Sequence, residues 1–182
     1  PLPQSFMSFS HLLEQPIDPV IPYEKNGVVT FGSMNNLYKL NPEVIRVWSQ
    51  ILKQVLKSKI IINHPNCSQE ATRERITEEF KKNGVAPTRI RFISEPHASG
   101  SHFYHYNDMD IILDSFPLTG GTTTIDAVWM GLPVITWVGE IYPHRLSYSI
   151  LKNIGVDVED LIAFLEEEYV KKAVSLAKSP ER

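Results

Sequence analysis

The chain has 182 residues, 42% of them hydrophobic, and a formal net charge of −3. This length and composition suffice for one domain with its own hydrophobic core. The near-balanced charge and the lack of a long basic run argue against a nucleic-acid-binding protein. A single cysteine, Cys67, cannot form an internal disulfide, so we expect a cytoplasmic setting. No apolar stretch is long enough to span a membrane, and no export signal is visible.

The first 27 residues differ in composition from the rest of the chain. They contain five prolines and no sustained hydrophobic period, which predicts an extended proline-rich linker over residues 1–27. We therefore expect the chain to be a fragment of a longer protein. From Val28 to Arg182 the pattern changes to that of a single folded domain.

Short apolar runs alternate with amphipathic segments over residues 28–182. Five runs predict strands, at Val28–Phe31, Lys59–Ile62, Ile90–Ile93, Asp110–Leu113 and Pro133–Thr136. They are too continuously apolar for strands with one face in water, which indicates a parallel sheet. Helices are predicted after the Asn41 cap, at Gln69–Asn83, Thr123–Met130, His144–Ile154 and Val158–Ala177. The alternation predicts an α/β, doubly wound, Rossmann-like sheet with strand order 3-2-1-4-5.

This topology indicates where a ligand would bind. In open parallel sheets, ligands lie beyond the carboxyl ends of the strands, where the strand order reverses. With the predicted order, that point lies between the first and fourth strands. The loops that emerge there are Gly32–Leu40 and Asp114–Thr124, the two segments of least ordinary composition.

The loop after the fourth strand resembles a phosphate cradle. Gly120 and Gly121 precede Thr122 and Thr123 at a predicted helix start, where backbone N–H groups and hydroxyls point the same way. The alternative is one threonine as a helix cap and the others as surface residues. Asp126 would accept hydrogen bonds from ribose hydroxyls, or would be an acid favoured by the helix dipole.

The loop after the first strand carries complementary groups. Gly32 allows close backbone approach, Asn35 and Asn36 supply amides, and Lys39 supplies a cation for a diphosphate. Neither a dinucleotide-binding glycine fingerprint nor a Walker loop is present. The alternative for Lys39 is a solvated loop lysine.

Three histidines, His97, His102 and His105, lie among aromatic residues between the third and fourth strands. They lack an adjacent cysteine or carboxylate set at metal-ligand spacing, so we expect no metal. Rings near the switch point favour stacking on a nucleobase, and partly buried histidines bonded to backbone are the alternative. The Asp108-Met-Asp110 pattern matches an Asp-x-Asp motif by which some enzymes hold a metal. We interpret the match as chance, because Asp110 opens a strand at its amino end, away from the predicted ligand edge.

With these residues in view, the chain resembles the C-terminal, donor-binding half of the O-linked N-acetylglucosamine transferase and SPINDLY-like family of GT-B glycosyltransferases. The resemblance runs from about Val28 to the C-terminus. The segments that carry it are Thr30–Lys39, the Asn-Pro-Glu-Val that follows at 41–44, His102, Asp114–Asp126, Trp129–Thr136 and Glu168–Ala177.

The resemblance implies sugar transfer from a nucleotide diphosphate sugar to a Ser or Thr of an acceptor protein. Residues 28–182 would then be the nucleotide-sugar-binding domain, with no cofactor and no metal. By this likeness, Lys39 stabilises the diphosphate leaving group and Thr122 and Thr123 donate to it. Asp126 would contact the ribose, His102 the base, and Asn36 would line the donor site.

The chain departs from the animal enzymes at Asn36, His105 and Gly121, so the donor stays open among UDP-N-acetylglucosamine, UDP-glucose and GDP-fucose. The resemblance also implies absent parts: an N-terminal lobe with the catalytic base, and tetratricopeptide repeats. We therefore expect no transfer by this chain alone. Two alternatives stay open, a GT-B transferase with a lipid or small-molecule acceptor, and a non-catalytic nucleotide-binding module.

Overall fold

The computed structural model describes residues 17–94 and 98–179, with the backbone alone at 98–101. These residues form an α/β fold in which a parallel sheet is covered by helices on both faces. The strands are β1 (Val29–Ser33), β2 (Ser58–Asn63), β3 (Ile90–Ile93), β4 (Ile111–Leu113), β5 (Val134–Trp137) and β6 (Ile162–Ala163). The helices are α1 (Pro22–Asn26), α2 (Pro42–Gln54), α3 (Glu70–Lys82), α4 (Thr122–Trp129), α5 (Leu146–Leu151) and α6 (Glu166–Ala177). Short 3₁₀ helices lie at Leu37–Lys39, Pro65–Ser68, Pro87–Arg89, Ala98–Asp108, Tyr142–His144 and Glu159–Leu161.

The strand order is β3-β2-β1-β4-β5-β6, and every neighbouring pair is parallel. The predicted order of the first five strands is confirmed, and so is the doubly wound, Rossmann-like class. The order reverses between β1 and β4, where Phe31 pairs with Ile111 and Gly32 with Ile112. The carboxyl ends of these two strands therefore lie side by side, and their loops emerge at one edge.

Two hydrophobic layers enclose the sheet because its strands are apolar on both faces. Phe31, Ile60 and Ile62 belong to the layer formed with α2, α3 and α6. Ile61 and Ile112 belong to the opposite layer, formed with α4, α5 and the 98–108 segment. Alternate residues of one strand thus enter different layers, as the period of two requires. The burial of both faces explains why the strands read as continuous apolar runs.

Helix α2 begins where the sequence predicts it. The Asn41 side chain accepts a 3.0 Å hydrogen bond from the Val44 N–H, and Pro42 occupies the first turn, where its missing N–H costs nothing. Its inward stripe is fully buried. The cap fixes where the preceding loop ends, and that loop carries Lys39.

The C-terminal region differs from the predicted helix Val158–Ala177. Residues 159–161 form a 3₁₀ turn, Ile162–Ala163 form the edge strand β6, and α6 begins only at Glu166. The sheet provides the reason: Thr136 pairs with Ile162, and the Val138 N–H donates a 2.8 Å hydrogen bond to the Ala163 carbonyl. The first part of the predicted helix is therefore wrong. The helix predicted over His144–Ile154 is shorter, at Leu146–Leu151.

Part of the predicted linker is ordered against the domain. Residues 22–26 form α1, which ends at Gly27 with a positive φ of 66°, and the Tyr23 N–H donates a 2.9 Å hydrogen bond to Asp110. The prediction of extended structure is therefore wrong for this segment. Residues 1–16 lie outside the described residues, so the domain boundary stays a prediction. In the described part of the chain, no helix combines the length and the apolar content needed to cross a membrane.

Candidate functional site

The candidate site lies at the carboxyl edge of the sheet, where the loops after β1 and β4 meet. Gly32, near the end of β1, leaves room for the Met109 side chain, because a Cβ there would lie 2.0 Å from the Met109 sulfur. The two loops contact each other directly through Lys39. The Lys39 Nζ donates to the Thr119 carbonyl at 2.8 Å and to Asn35 Oδ1 at 3.1 Å.

Lys39 is half-buried in this contact and is not a freely solvated loop lysine. Burial lowers the pKa of its ammonium, and the nearby Asp114 carboxylate opposes that shift. Both of its acceptors are neutral oxygens. Among residues 17–94 and 98–179, no carboxylate lies within ion-pair distance of its Nζ. The positive charge of Lys39 is therefore held in place without being neutralised by direct contact.

Asp114, which follows β4, is the buried centre of the loop. Its Oδ1 accepts from the Gly120 N–H at 2.8 Å and from Asn35 Nδ2 at 3.3 Å, and its Oδ2 accepts from the Thr136 hydroxyl at 2.8 Å. Burial raises the pKa of this carboxyl, while these hydrogen bonds and Lys39 lower it. The Tyr169 hydroxyl donates to the Asp114 carbonyl at 2.8 Å. The sequence pattern includes Asp114 in the loop but predicts no role for it.

The three consecutive threonines at the start of α4 have three different environments. Thr122 is exposed at the first residue of α4, and the Thr123 hydroxyl donates to Asn35 Oδ1 at 3.3 Å. Thr124 is buried, with its hydroxyl 2.8 Å from that of Ser147. The N-cap is Gly121, and no side chain among the described residues caps the helix. The alternative of a threonine N-cap is therefore wrong, and the start of α4 offers backbone N–H groups instead.

The two glycines before α4 differ in the space around them. A Cβ at Gly120 would lie 2.3 Å from Thr124 Oγ1 and 3.2 Å from Asp114 Oδ1, whereas a Cβ at Gly121 would meet nothing within 4 Å. The Ser147 hydroxyl also donates to the Gly120 carbonyl at 3.0 Å. Gly120 is thus a packing requirement of the loop. Gly121 leaves the start of α4 open.

The two asparagines of the first loop make different contacts. Asn36 is exposed, and its side chain accepts from the Tyr38 N–H at 3.1 Å, which caps the short 3₁₀ helix. Asn35 is buried and joins Lys39, Thr123 and Asp114. The residue pattern offers both asparagines as amides for the ligand, and the family resemblance places only Asn36 at the donor site. The exposure of Asn36 is compatible with that prediction, whereas the contacts of the buried Asn35 with other loop residues were not predicted.

The residues predicted to contact the ribose and the base, Asp126 and His102, lie close together. His102 Nε2 is 3.6 Å from Asp126 Oδ2, and both side chains are largely buried. The His102 ring lies 4.3 Å from that of Phe103, and the buried Tyr106 hydroxyl donates to the Thr123 carbonyl at 3.2 Å. His105 is partly exposed, and His97 lies outside the described residues. The structure thus brings His102 and Asp126 together without testing either predicted contact.

Both carboxylates of the Asp108-Met-Asp110 pattern are bound by other residues of the chain. Asp110 accepts from the N–H groups of Thr30 at 2.7 Å and Tyr23 at 2.9 Å, and Asp108 pairs with Arg91 at 3.2 Å. Both lie at the amino edge of the sheet, away from the loops described above. Across the described residues, no three His, Cys, Asp or Glu side chains form a group that could hold a metal ion.

A separate groove of about 830 Å³ lies between the C-terminal end of α4 and α6, lined by residues that include Leu132, Pro133, Leu161 and Lys172. It opens near the amino ends of β5 and β6. Lys39, Thr122 and Asp126 do not line it. Because ligands of open parallel sheets bind at the carboxyl ends of the strands, we place the candidate site at the two loops and not in this groove.

Comparisons with known proteins identify the family and the fold of the chain. The sequence model of glycosyl transferase family 41 matches residues 22–182. A protein of Solanum lycopersicum described as a probable UDP-N-acetylglucosamine–peptide N-acetylglucosaminyltransferase SPINDLY is 37% identical over 97% of this chain. A UDP-N-acetylglucosamine–peptide N-acetylglucosaminyltransferase of Caenorhabditis elegans is 33% identical over 83% of this chain. The match covers 19% of the tomato protein and 13% of the nematode protein, so the chain spans only a small part of these relatives.

Solved structures show the same fold. An O-GlcNAc transferase mutant of Thermobaculum terrenum superimposes with a TM-score of 0.80 at 29% identity, over 88% of this chain and 31% of that one. The C-terminal domain of a group 1 glycosyl transferase of Francisella tularensis superimposes with a TM-score of 0.58 at 16% identity, over 88% of this chain and 82% of that domain, which shows the fold alone. The Rossmann-like sheet therefore matches the lobes of GT-B glycosyltransferases. Since the family match covers most of the chain, the chain belongs to glycosyl transferase family 41, the family of O-GlcNAc transferases and SPINDLY proteins.

Proposed function

We propose that this chain is the nucleotide-sugar donor-binding lobe of a protein O-glycosyltransferase. The whole enzyme would transfer N-acetylglucosamine or a related sugar from a nucleotide diphosphate sugar to a Ser or Thr hydroxyl. One observation carries the proposal: Lys39 and the N terminus of α4, which no described side chain caps, meet at the switch point of the sheet. A half-buried cation beside backbone N–H groups at a helix start is suited to a diphosphate.

The chemistry follows from where charge develops during transfer. As the bond between the sugar and the diphosphate breaks, negative charge accumulates on the leaving diphosphate oxygens. The Lys39 ammonium, the N–H groups at the start of α4 and the Thr122 and Thr123 hydroxyls would stabilise that charge. Because Lys39 is held by Thr119 and Asn35 before any ligand binds, little reorganisation would accompany the reaction.

The remaining site residues would select the donor. Asp126 would accept hydrogen bonds from the ribose hydroxyls, His102 would lie against the base, and Asn36 would border the donor site. The names of the curated relatives favour a UDP-linked donor. Most of the acceptor-binding site, the catalytic base and the second lobe would lie in the larger part of the relatives that this chain does not span. We accordingly propose that the isolated chain binds donor but transfers nothing, and its cytoplasmic setting stays a prediction.

Calorimetric titration of the chain with UDP, GDP and ADP tests the proposal. We expect UDP to bind with the highest affinity and Thr122→Ala to weaken it about fivefold, the worth of one hydrogen bond. Thr88→Ala, at an exposed threonine before β3, is the matched control and should bind UDP as the wild type does. If none of the three nucleotides binds, or if Thr122→Ala and Thr88→Ala bind UDP equally well, the donor site is not where we place it.

A further inference from the structure

One buried amide links the two loops of the candidate site. Asn35 is 3% exposed and lies just beyond the carboxyl end of β1. Its Oδ1 accepts from Lys39 Nζ at 3.1 Å and from the Thr123 hydroxyl at 3.3 Å. The same oxygen atom thus holds one group from each loop, and both groups are proposed to bind the diphosphate.

The other side of the amide is fixed by the protein core. Asn35 Nδ2 donates to Asp114 Oδ1 at 3.3 Å, and Asp114 also accepts from the Gly120 N–H and the Thr136 hydroxyl. With donors directed at both of its oxygens, the carboxylate acts as an acceptor, so Asn35 must present its N–H₂ to Asp114. Its oxygen therefore has to face Lys39 and Thr123. Asp114 sets the direction of the amide, and the amide sets the positions of the two donors.

The choice of an amide over a carboxylate also matters at this position. An aspartate would pair with the Lys39 ammonium directly and would neutralise the charge that a diphosphate needs. It would also place a second carboxylate beside Asp114, which is unfavourable in a buried site. The neutral amide holds the ammonium in place and leaves its charge available to an anion.

We infer that Asn35 is a positioning residue that places the Lys39 ammonium and the Thr123 hydroxyl for one diphosphate, with Asp114 fixing its orientation. The inference rests on the proposed donor-binding function. Asn35 is too deeply buried to contact the donor itself, so its effect passes through Lys39 and Thr123. This role differs from that of an amide donor to the ligand, which the sequence alone suggested for both asparagines.

A double-mutant cycle separates this role from a merely structural one. Asn35→Ala should weaken UDP binding about tenfold, comparable to the loss of one hydrogen bond to a charged group, and should leave uridine binding unchanged. In a Lys39→Ala background, the same substitution should weaken UDP binding by less than about threefold, because Lys39, one of the two groups that Asn35 positions, is already gone. Equal effects of Asn35→Ala in both backgrounds, or equal losses for UDP and uridine, would overturn the inference.

A matched control covers the effect of losing a buried polar group. The Ser58 hydroxyl is buried at the amino edge, where it donates to the Val55 carbonyl at 2.6 Å and accepts from Arg89 at 2.8 Å. Ser58→Ala should lower thermal stability and leave UDP affinity at the wild-type value. If Ser58→Ala weakens UDP binding as much as Asn35→Ala does, general destabilisation explains both and the positioning role is wrong.

A measurement without ligand keeps this inference distinct from the proposed function. Asn35→Asp puts a carboxylate beside the ammonium, so the pKa of Lys39, followed by NMR of the labelled side chain, should rise relative to the wild type. An unchanged Lys39 pKa would show that residue 35 does not hold the ammonium. If the wild type binds no nucleotide while the pKa of Lys39 rises as expected, the donor-site proposal fails and the anchoring of Lys39 by Asn35 stands.

Discussion

The Gly120 N–H donates a 2.8 Å hydrogen bond to the Asp114 carboxylate. This bond ties the end of the loop after β4 back to its beginning, six residues earlier. Gly120 lies so close to Asp114, Thr123 and Thr124 that a Cβ would contact all three. The hydrogen bond therefore requires a glycine, and it determines where α4 begins relative to the sheet.

Substitution of the two glycines of this loop should give contrasting results. Gly120→Ala should lower the free energy of unfolding by about 1–3 kcal/mol, because the new methyl group overpacks a site whose neighbours are held by hydrogen bonds. Gly121→Ala should change it by about 0.5 kcal/mol or less, because a Cβ there meets nothing within 4 Å. Urea denaturation measures both values. Equal destabilisation by the two substitutions would contradict the packing described for Gly120.

The ribose contact proposed for Asp126 predicts discrimination between nucleotides. Wild type should bind UDP about tenfold more tightly than at least one of 2′-deoxy-UDP and 3′-deoxy-UDP, since a hydrogen bond to a carboxylate is lost. Asp126→Asn should narrow this difference, while Asp157→Asn, at an exposed aspartate, should not. Competition binding with the three nucleotides measures the effect. If Asp126→Asn leaves the discrimination intact, Asp126 does not contact the ribose.

The lowered pKa of Lys39 predicts a pH dependence of UDP binding. Burial disfavours the charged ammonium, so Lys39 loses its proton at a lower pH than an ordinary lysine does. UDP affinity should fall as the pH rises through this lowered pKa, and the fall should be absent in Lys39→Ala. Bound diphosphate favours the charged form and should shift the fall to higher pH. Calorimetry over the alkaline range checks this, and an identical profile in wild type and Lys39→Ala would refute it.

The pH dependence of stability has the opposite sign to that of UDP binding. Between the lowered pKa of Lys39 in the folded protein and its ordinary value in the unfolded chain, the unfolded state binds more protons. Lys39 should therefore contribute a rise in stability of the ligand-free chain as the pH increases through that window. The effects of pH on binding and on stability thus run in different directions and can be separated by measuring both.

The first five strands and their order were predictable because both faces of the sheet are buried, so each strand is a continuous apolar run. Strand β6 was not predictable, since two residues at an edge carry no pattern of their own. Ile162 and Ala163 also fit the apolar spacing of the helix that follows. These two residues are kept out of the helix by their pairing with β5, which is a tertiary contact. The three glutamates at 166–168 mark the true first turn of α6, where acids favour the positive end of the helix dipole.

Within the candidate site, the meeting of the two loops at the switch point was predictable, because the carboxyl ends of the first and fourth strands adjoin in the predicted strand order. That Lys39 and the threonines bind an anion there stays a prediction. Asn35 could not be distinguished from Asn36, since the direction of each side chain beyond a strand end depends on the path of the loop. Asp114 was also left without a role. A signal was available there: an acid that directly follows a buried strand needs partners, and the adjacent glycine loop supplies N–H donors.

A comparison of UDP with uridine binding by Lys39→Ala and Lys59→Ala shows whether the Lys39 ammonium binds the diphosphate of the donor. Lys59 is an exposed lysine near the amino edge of the sheet, so its substitution removes the same charge from a different place. We predict that Lys39→Ala loses about tenfold or more in UDP affinity without loss for uridine, and that Lys59→Ala matches the wild type for both. Equal UDP affinities of the two variants, or an equal loss for UDP and uridine in Lys39→Ala, would show that the Lys39 ammonium does not bind the diphosphate.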